Sequence, residues 1–183
     1  MKLLVVVDMQ RDFIDGVLGT PEAVAIVPNV AAKVKQYADR GDPILYTKDI
    51  HFAHNYMQSQ EGQKLPVPHC IYGTFGYQLH PDVYVKGGYM ADKPTFGLAE
   101  IADVVYGILN DRKIDERDLE EIEVVGLCTD ICVISNVMLL KASFLEVPIT
   151  VISSCCAGVT PESHTNALRA MAMCQVNIVE EVF

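Results

Sequence analysis

Separate short stretches of the chain carry side chains that can do covalent or metal chemistry. In Asp8-Met9-Gln10-Arg11-Asp12-Phe13 a carboxylate follows the apolar run Leu3 to Val7. An aspartate so placed can act as a general acid or base, and it is equally at home as an ordinary residue of a strand-to-helix turn. The stretch Gly126-Leu127-Cys128-Thr129-Asp130-Ile131-Cys132 passes from a strand-like run into an apolar helix-like one, so Cys132 falls in the first helical turn. Unpaired backbone N–H groups and the helix dipole favour a thiolate there and can hold a developing oxyanion. A free cysteine is also a common small core residue, so position alone leaves the nucleophilic and packing roles both open.

Asp49-Ile50-His51 follows another strand-like run. Residues two apart in extended backbone point the same way, so this carboxylate and imidazole can reach one ion together, with His69 as a third ligand. Two histidines and one carboxylate with open positions suit zinc, iron or manganese. Taken alone, the same residues are what an exposed loop carries.

The elements that must position these groups follow from periodicity. Short β-branched runs at residues 2–8, 43–48, 83–86, 122–127, 148–153 and 176–179 alternate with helix-period segments at 27–40, 98–111, 131–146 and 161–174. Pro28 lies near the expected start of the first of these helices and Gly41 just past its end. The alternation predicts an α/β fold with three αβα layers and a mostly parallel six-stranded sheet, Rossmann-like in kind. Asp49 to Pro81 is too long for a plain connection and is rich in His, Gly, Pro and aromatic residues, which marks a functional loop. Ligands of open parallel sheets bind outside the carboxyl ends of the strands, where Asp8, Asp49 and Cys128 to Cys132 all fall.

At 183 residues the chain is expected to form one domain spanning 1–183. A net charge of -10 argues against nucleic acid and anionic membrane as partners and leaves a small molecule or another subunit. The first apolar run is stopped by Asp8, too early for a signal-peptide core or a membrane span, and the expectation is a cytoplasmic protein. The six cysteines then imply no disulfide framework, and their spacings give no sulfur-ligated zinc site. The apolar run Ile131 to Leu145 suggests burial on several sides and a subunit contact.

Taken in order, the segments Asp8 to Phe13, Lys93-Pro94-Thr95-Phe96 and Gly126 to Val133 resemble the isochorismatase-like cysteine hydrolases, particularly nicotinamidases, over nearly the whole chain. The resemblance implies Cys132 as nucleophile on a carboxamide and Asp8 as the group that takes the thiol proton and returns one to departing ammonia. Lys93 supports the charged forms. It places the oxyanion hole at the backbone N–H groups of Cys128 and Cys132, with a non-proline cis peptide between Leu127 and Cys128. Lys86-Gly87-Gly88-Tyr89 is a rival for the lysine, but the spacing of Lys93 from His69 and Cys132 fits the family layout, and Lys86 reads as a strand end in solvent.

Leu65 to Thr74 looks like the nicotinamidase segment whose histidine, here His69, binds a divalent ion beside a pyridine nitrogen. Zinc heads the expected metals, and Glu61 would be a fourth ligand directly or through water. Phe13 either stacks on an aromatic substrate or packs in the core. The commonest family pattern has a Trp before Pro-Pro-His, whereas this chain has Leu65-Pro66-Val67-Pro68 and no Trp. His54 is left as a loop histidine, His80 as a turn residue and His164 as a solvated residue at a helix start. A homo-oligomer is implied as well. The substrate expected is nicotinamide; the alternatives are another carboxamide, a carbamoyl compound or a vinyl ether of the isochorismate type, or a noncatalytic ligand-binding member. The vinyl-ether route needs no cysteine.

Overall fold

A strand without polar alternation must be covered on both faces. In the computed structural model, which describes residues 1–183, β1 (Lys2–Val7) is buried throughout from Leu3 to Val7. It sits inside one six-stranded sheet of order β3-β2-β1-β4-β5-β6, with β2 Ile44–Asp49, β3 Tyr89–Lys93, β4 Glu121–Leu127, β5 Ile149–Ala157 and β6 Asn177–Val179. Every neighbouring pair is parallel. Alternate side chains of β1 serve opposite layers. Leu4 and Val6 join Val27, Val30 and Val34 of α2 (Pro21–Arg40). Leu3, Val5 and Val7 join residues of α4 (Ile101–Arg112), α5 (Ile134–Ser143) and α6 (Pro161–Met173) on the other face. The short helices α1 (Arg11–Ile14) and α3 (Gln60–Lys64) lie in the connections that follow β1 and β2. The fold is therefore the expected three-layer α/β architecture. None of its helices is long and apolar enough to cross a membrane.

Local chemistry moved several boundaries. Helix α2 begins at Pro21, not Val27, because the Thr20 hydroxyl caps it by accepting the Ala23 N–H and Pro21 suits the first helical position. Pro28 is then inside the helix, where burial of Val27, Val30 and Val34 outweighs one lost backbone hydrogen bond. No strand forms at 83–86. The Tyr46 hydroxyl donates to the Val83 carbonyl at 3.0 Å and accepts the Val85 N–H at 3.1 Å, satisfying that backbone without a strand partner. The strand is Tyr89–Lys93, reached through Gly87 at φ +97 and through Gly88, where a Cβ would lie 2.5 Å from the Tyr46 ring. Lys86 is thus exposed in a turn rather than at a strand end, and Lys93 is the strand's last residue. The helix expected from Ile131 begins instead as a π-turn, Thr129–Val133, continuing into α5.

Gly126 lets β1 and β4 approach closely. It lies at a register shift between β4 and β5, has φ +120, and a Cβ there would stand 2.1 Å from the Val7 carbonyl oxygen. Gly126→Ala should lower the unfolding free energy by about 2–4 kcal/mol, combining left-handed strain with forced separation of β1 and β4. Urea denaturation of both proteins checks this; equal midpoints at equal slope would show that the two strands can part at no cost.

Candidate active site

Parallel strands bring their carboxyl ends to one edge, and the order reverses between β1 and β4, which opens a crevice there. Asp8 directly follows β1 in a left-handed conformation, φ +48, that non-glycine residues seldom adopt. Its Oδ1 accepts the Thr47 hydroxyl at 2.7 Å and its Oδ2 lies 2.6 Å from Lys93 Nζ. Lys93 is wholly buried; its Nζ also donates to the Thr95 carbonyl at 3.1 Å and stands 3.6 Å from Cys132 Sγ. The structure thus brings together Asp8, Lys93 and Cys132 from three separate strand ends, and leaves Lys86 outside.

Burial and neighbouring charges shift all three groups. Burial pushes the Asp8 carboxyl above its ordinary range, with Lys93 offsetting only part of the effect. Burial disfavours the Lys93 ammonium, yet Asp8, Cys132 and Asp49 together hold it above the usual lysine value. Burial, and then the Asp8 charge, hold the Cys132 thiol well above its usual range against the pull of Lys93. The site thus sets Asp8 and Lys93 in ion-pair contact beside a thiol whose ionisation burial opposes. Enclosure within the π-turn and the facing Asp8 carboxyl work against the thiolate that a helix terminus favours, while Lys93 at 3.6 Å works for it.

The Leu127–Cys128 peptide is cis, and the Cys128 carbonyl accepts the N–H groups of Ile131 and Val133. Residues that sequence reasoning passed over hold this loop. Asn136, fully buried, accepts the Leu98 N–H at 2.9 Å and donates to the Cys132 carbonyl at 2.8 Å. A lone amide within the apolar α5 run was the available signal. Thr129 Oγ1 and His164 Nδ1 share a hydrogen bond at 2.8 Å, and Asp130 accepts the Val159 N–H at 3.1 Å. His164 is therefore half-buried against the loop rather than solvated, and burial lowers its pKa. His80 is the turn residue expected, its ring accepting the Asp82 N–H, and His54 stays exposed in its loop.

Asp49 ends β2, with His51 two residues on, and the Cys70 carbonyl accepts the His51 N–H at 3.1 Å. Donor atoms of Asp49, His51 and His69 all lie within 4.8 Å of one another. His51 Nε2 is 2.8 Å from Asp49 Oδ2, and His69 Nε2 is 3.5 Å from it. Glu61, from α3, approaches the same two nitrogens at 3.7 and 3.5 Å. Donors around a tetrahedral zinc with bonds of about 2.0 Å stand about 3.3 Å apart, so these spacings fit such an ion. The chemistry fits as well. His69 Nδ1 lies 2.8 Å from the Val67 carbonyl, which leaves Nε2 as the free donor, and His51 Nε2 is buried without a sound hydrogen bond.

An apolar cavity of about 290 Å³ is lined by Phe13, Leu18, Leu65, Phe96, Ile131 and Val159, and Cys132, Asp49 and His69 open onto it. Cys128 also contributes to its wall. Phe13 lies 5.4 Å from the His69 ring. A more polar groove of about 380 Å³ contains His51 and shares Glu61, Lys64 and Phe96 with the cavity. The donor cluster thus faces both an apolar chamber and water.

The isochorismatase domain profile matches residues 2–181. The chain is 28% identical over 191 residues to the nicotinamidase/pyrazinamidase of Mycobacterium tuberculosis, covering 98% of both chains. It is 27% identical to the nicotinamidase of Escherichia coli, over 94% of this chain and 90% of that one. The crystal structure of the Pyrococcus horikoshii pyrazinamidase in complex with zinc superposes with a TM-score of 0.81 at 22% identity, covering 98% of this chain and 99% of the other. With the profile spanning almost every residue, the chain belongs to the isochorismatase family.

Proposed function

We propose that the chain is a cysteine amidohydrolase that converts a small aromatic carboxamide, nicotinamide first among them, to the acid and ammonia. The carrying observation is the buried ammonium of Lys93, 2.6 Å from Asp8 and 3.6 Å from Cys132, with Cys132 opening on an apolar cavity beside a three-ligand donor cluster. The names of the Mycobacterium tuberculosis and Escherichia coli relatives support the choice of nicotinamide.

The charge states suit the chemistry. A buried carboxylate with a raised pKa is a base better matched to neutral pH than an ordinary aspartate. Asp8 takes the Cys132 proton as sulfur attacks the amide carbon, and negative charge moves to the carbonyl oxygen. Backbone N–H groups of Cys128 and Cys132 are assigned to hold it. Asp8 then passes the proton to the amide nitrogen, the C–N bond breaks, and ammonia leaves behind a thioester. Water attacks that thioester, Asp8 takes its proton and returns one to sulfur, and the acid departs. Lys93 stays protonated throughout and keeps Asp8 anionic between proton transfers.

Asp49, His51 and His69, with Glu61 directly or through water, would hold a divalent ion, zinc first. Bound there, it supplies a Lewis acid beside the cavity for a nitrogen lone pair of the substrate. Phe13 forms one wall against the substrate ring.

Cys132→Ala should lower ammonia release from nicotinamide and pyrazinamide by at least ~10³-fold with the fold unchanged. Turnover retained in that variant would remove the nucleophile assignment; silence of the parent on both amides but release from another carboxamide would change the substrate alone. A second measurement reads the charge states. Because the Cys132 thiol is held above its usual range, its alkylation should be slow at pH 7, behind exposed Cys174, and should still be accelerating above pH 9. Asp8→Asn removes the opposing anion and should speed Cys132 labelling at neutral pH while abolishing turnover. Peptide mapping after timed iodoacetamide exposure checks both; a Cys132 that labels first in the parent at pH 7 would contradict the neutral-thiol resting state.

A further inference from the structure

The segment that supplies Asp8 also contains Gln10 and Asp12, two polar side chains the reaction does not use. Gln10 is fully buried, and its amide grips the backbone of Asp49 from both sides. Its Oε1 accepts the Asp49 N–H at 2.7 Å, while its Nε2 donates to the Asp49 carbonyl at 2.9 Å and to the Tyr77 carbonyl at 3.0 Å. Asp12 acts on the other ligands. Its Oδ2 accepts the N–H of Cys70 at 2.8 Å, the residue directly after His69, which sits at φ +45. The Cys70 carbonyl in turn accepts the His51 N–H at 3.1 Å. One residue, Cys70, anchored by Asp12 through its N–H and holding His51 through its carbonyl, therefore ties the backbone of both histidines together, and the Gln10 amide fixes the aspartate.

Gly76 closes this arrangement. A Cβ there would lie 2.1 Å from Asp12 Oδ2, so any side chain must push the carboxylate away from Cys70.

We propose that Gln10 and Asp12 are positioning residues for the metal ligands, referring Asp49, His51 and His69 to the same short segment that carries Asp8. The inference rests on the reading of those three residues as a metal site. Partners that orient ligands from outside the coordination sphere typically change metal affinity by about 10–100-fold when lost. Their removal should therefore be read in affinity rather than in turnover.

The test is zinc affinity of the purified, metal-stripped full chain, measured by competition with a chromophoric chelator, with circular dichroism and thermal unfolding on each sample. Asp12→Ala, Gly76→Ala and Gln10→Leu should each bind zinc about 10–100-fold more weakly while remaining folded. Asp12→Asn keeps an acceptor oxygen for the Cys70 N–H and should stay close to the parent. His69→Ala, which deletes a ligand, should lose more than any of them. If Gln10→Leu does not fold, Gln10→Glu, which keeps the size and the acceptor but loses the two donors, is read in its place. If Asp12→Ala does not fold, Gly76→Ala carries the test of the Asp12 contact. Parent-like affinity in Gly76→Ala and the Gln10 variant alongside a large loss in His69→Ala would overturn the positioning role and leave the metal site standing. Asp12→Asn falling as far as Asp12→Ala would overturn the hydrogen-bond assignment. Parent-like affinity in His69→Ala would remove the metal site itself, and the positioning role with it.

Discussion

The Asp8–Lys93 ion pair is the contact on which the rest of the site depends. Both side chains are fully buried and their charged atoms are 2.6 Å apart. Removing two charges from water costs several kcal/mol per ion, and the attraction repays it only when the remaining donors and acceptors are also met. Here the Thr47 hydroxyl serves Asp8 and the Thr95 carbonyl serves Lys93. Taking away either partner alone would strand the other, which in buried pairs costs about 3–5 kcal/mol. The pair joins the end of β1 to the end of β3 across β2, so it fixes three strand ends as well as a charge state.

Lys93 stands between two groups that can each carry a negative charge, Asp8 at 2.6 Å and Cys132 at 3.6 Å. Burial first, and then an ionised Asp8, disfavour a second negative charge on Cys132. The apolar cavity sharpens this, because the low-polarity walls from Phe13 to Val159 strengthen every interaction between the enclosed charges. The donor cluster at Asp49 lies close to the same network: its Oδ1 is 3.9 Å from Lys93 Nζ. Asp49 pairs in register with Lys93 in the sheet, so backbone hydrogen bonding sets this proximity as well as side-chain attraction.

Much of the frame was legible in the sequence, and the misreadings have physical causes. Helix α6 matched its expected span almost to the residue because a Thr160 capping box and Pro161 mark its start in local chemistry. The strand expected at 83–86 failed because Val83-Tyr84-Val85 carries a β-like composition, while its backbone is satisfied by a hydroxyl from Tyr46, far away in sequence. His164 read as solvated because nothing within its helix says that Thr129 will pack against it. Gln10 belonged to a motif that the family resemblance rests on, yet its task, gripping Asp49 on both sides, is visible only once β1 and β2 lie side by side.

By itself the sequence determined the αβα layering, the strand ends that bear Asp8, Asp49 and Cys132, and the donor types that could meet an ion. These follow from hydrophobic period and local turn chemistry, which act over a few residues. Only the tertiary structure decided that Lys93 is wholly buried between Asp8 and Cys132, that burial opposes ionisation of the Cys132 thiol, and that Gln10 and Asp12 hydrogen-bond the backbone of Asp49 and Cys70. Each of those depends on burial and on partners dozens of residues away, so the energies that fix them exist only after the sheet has closed.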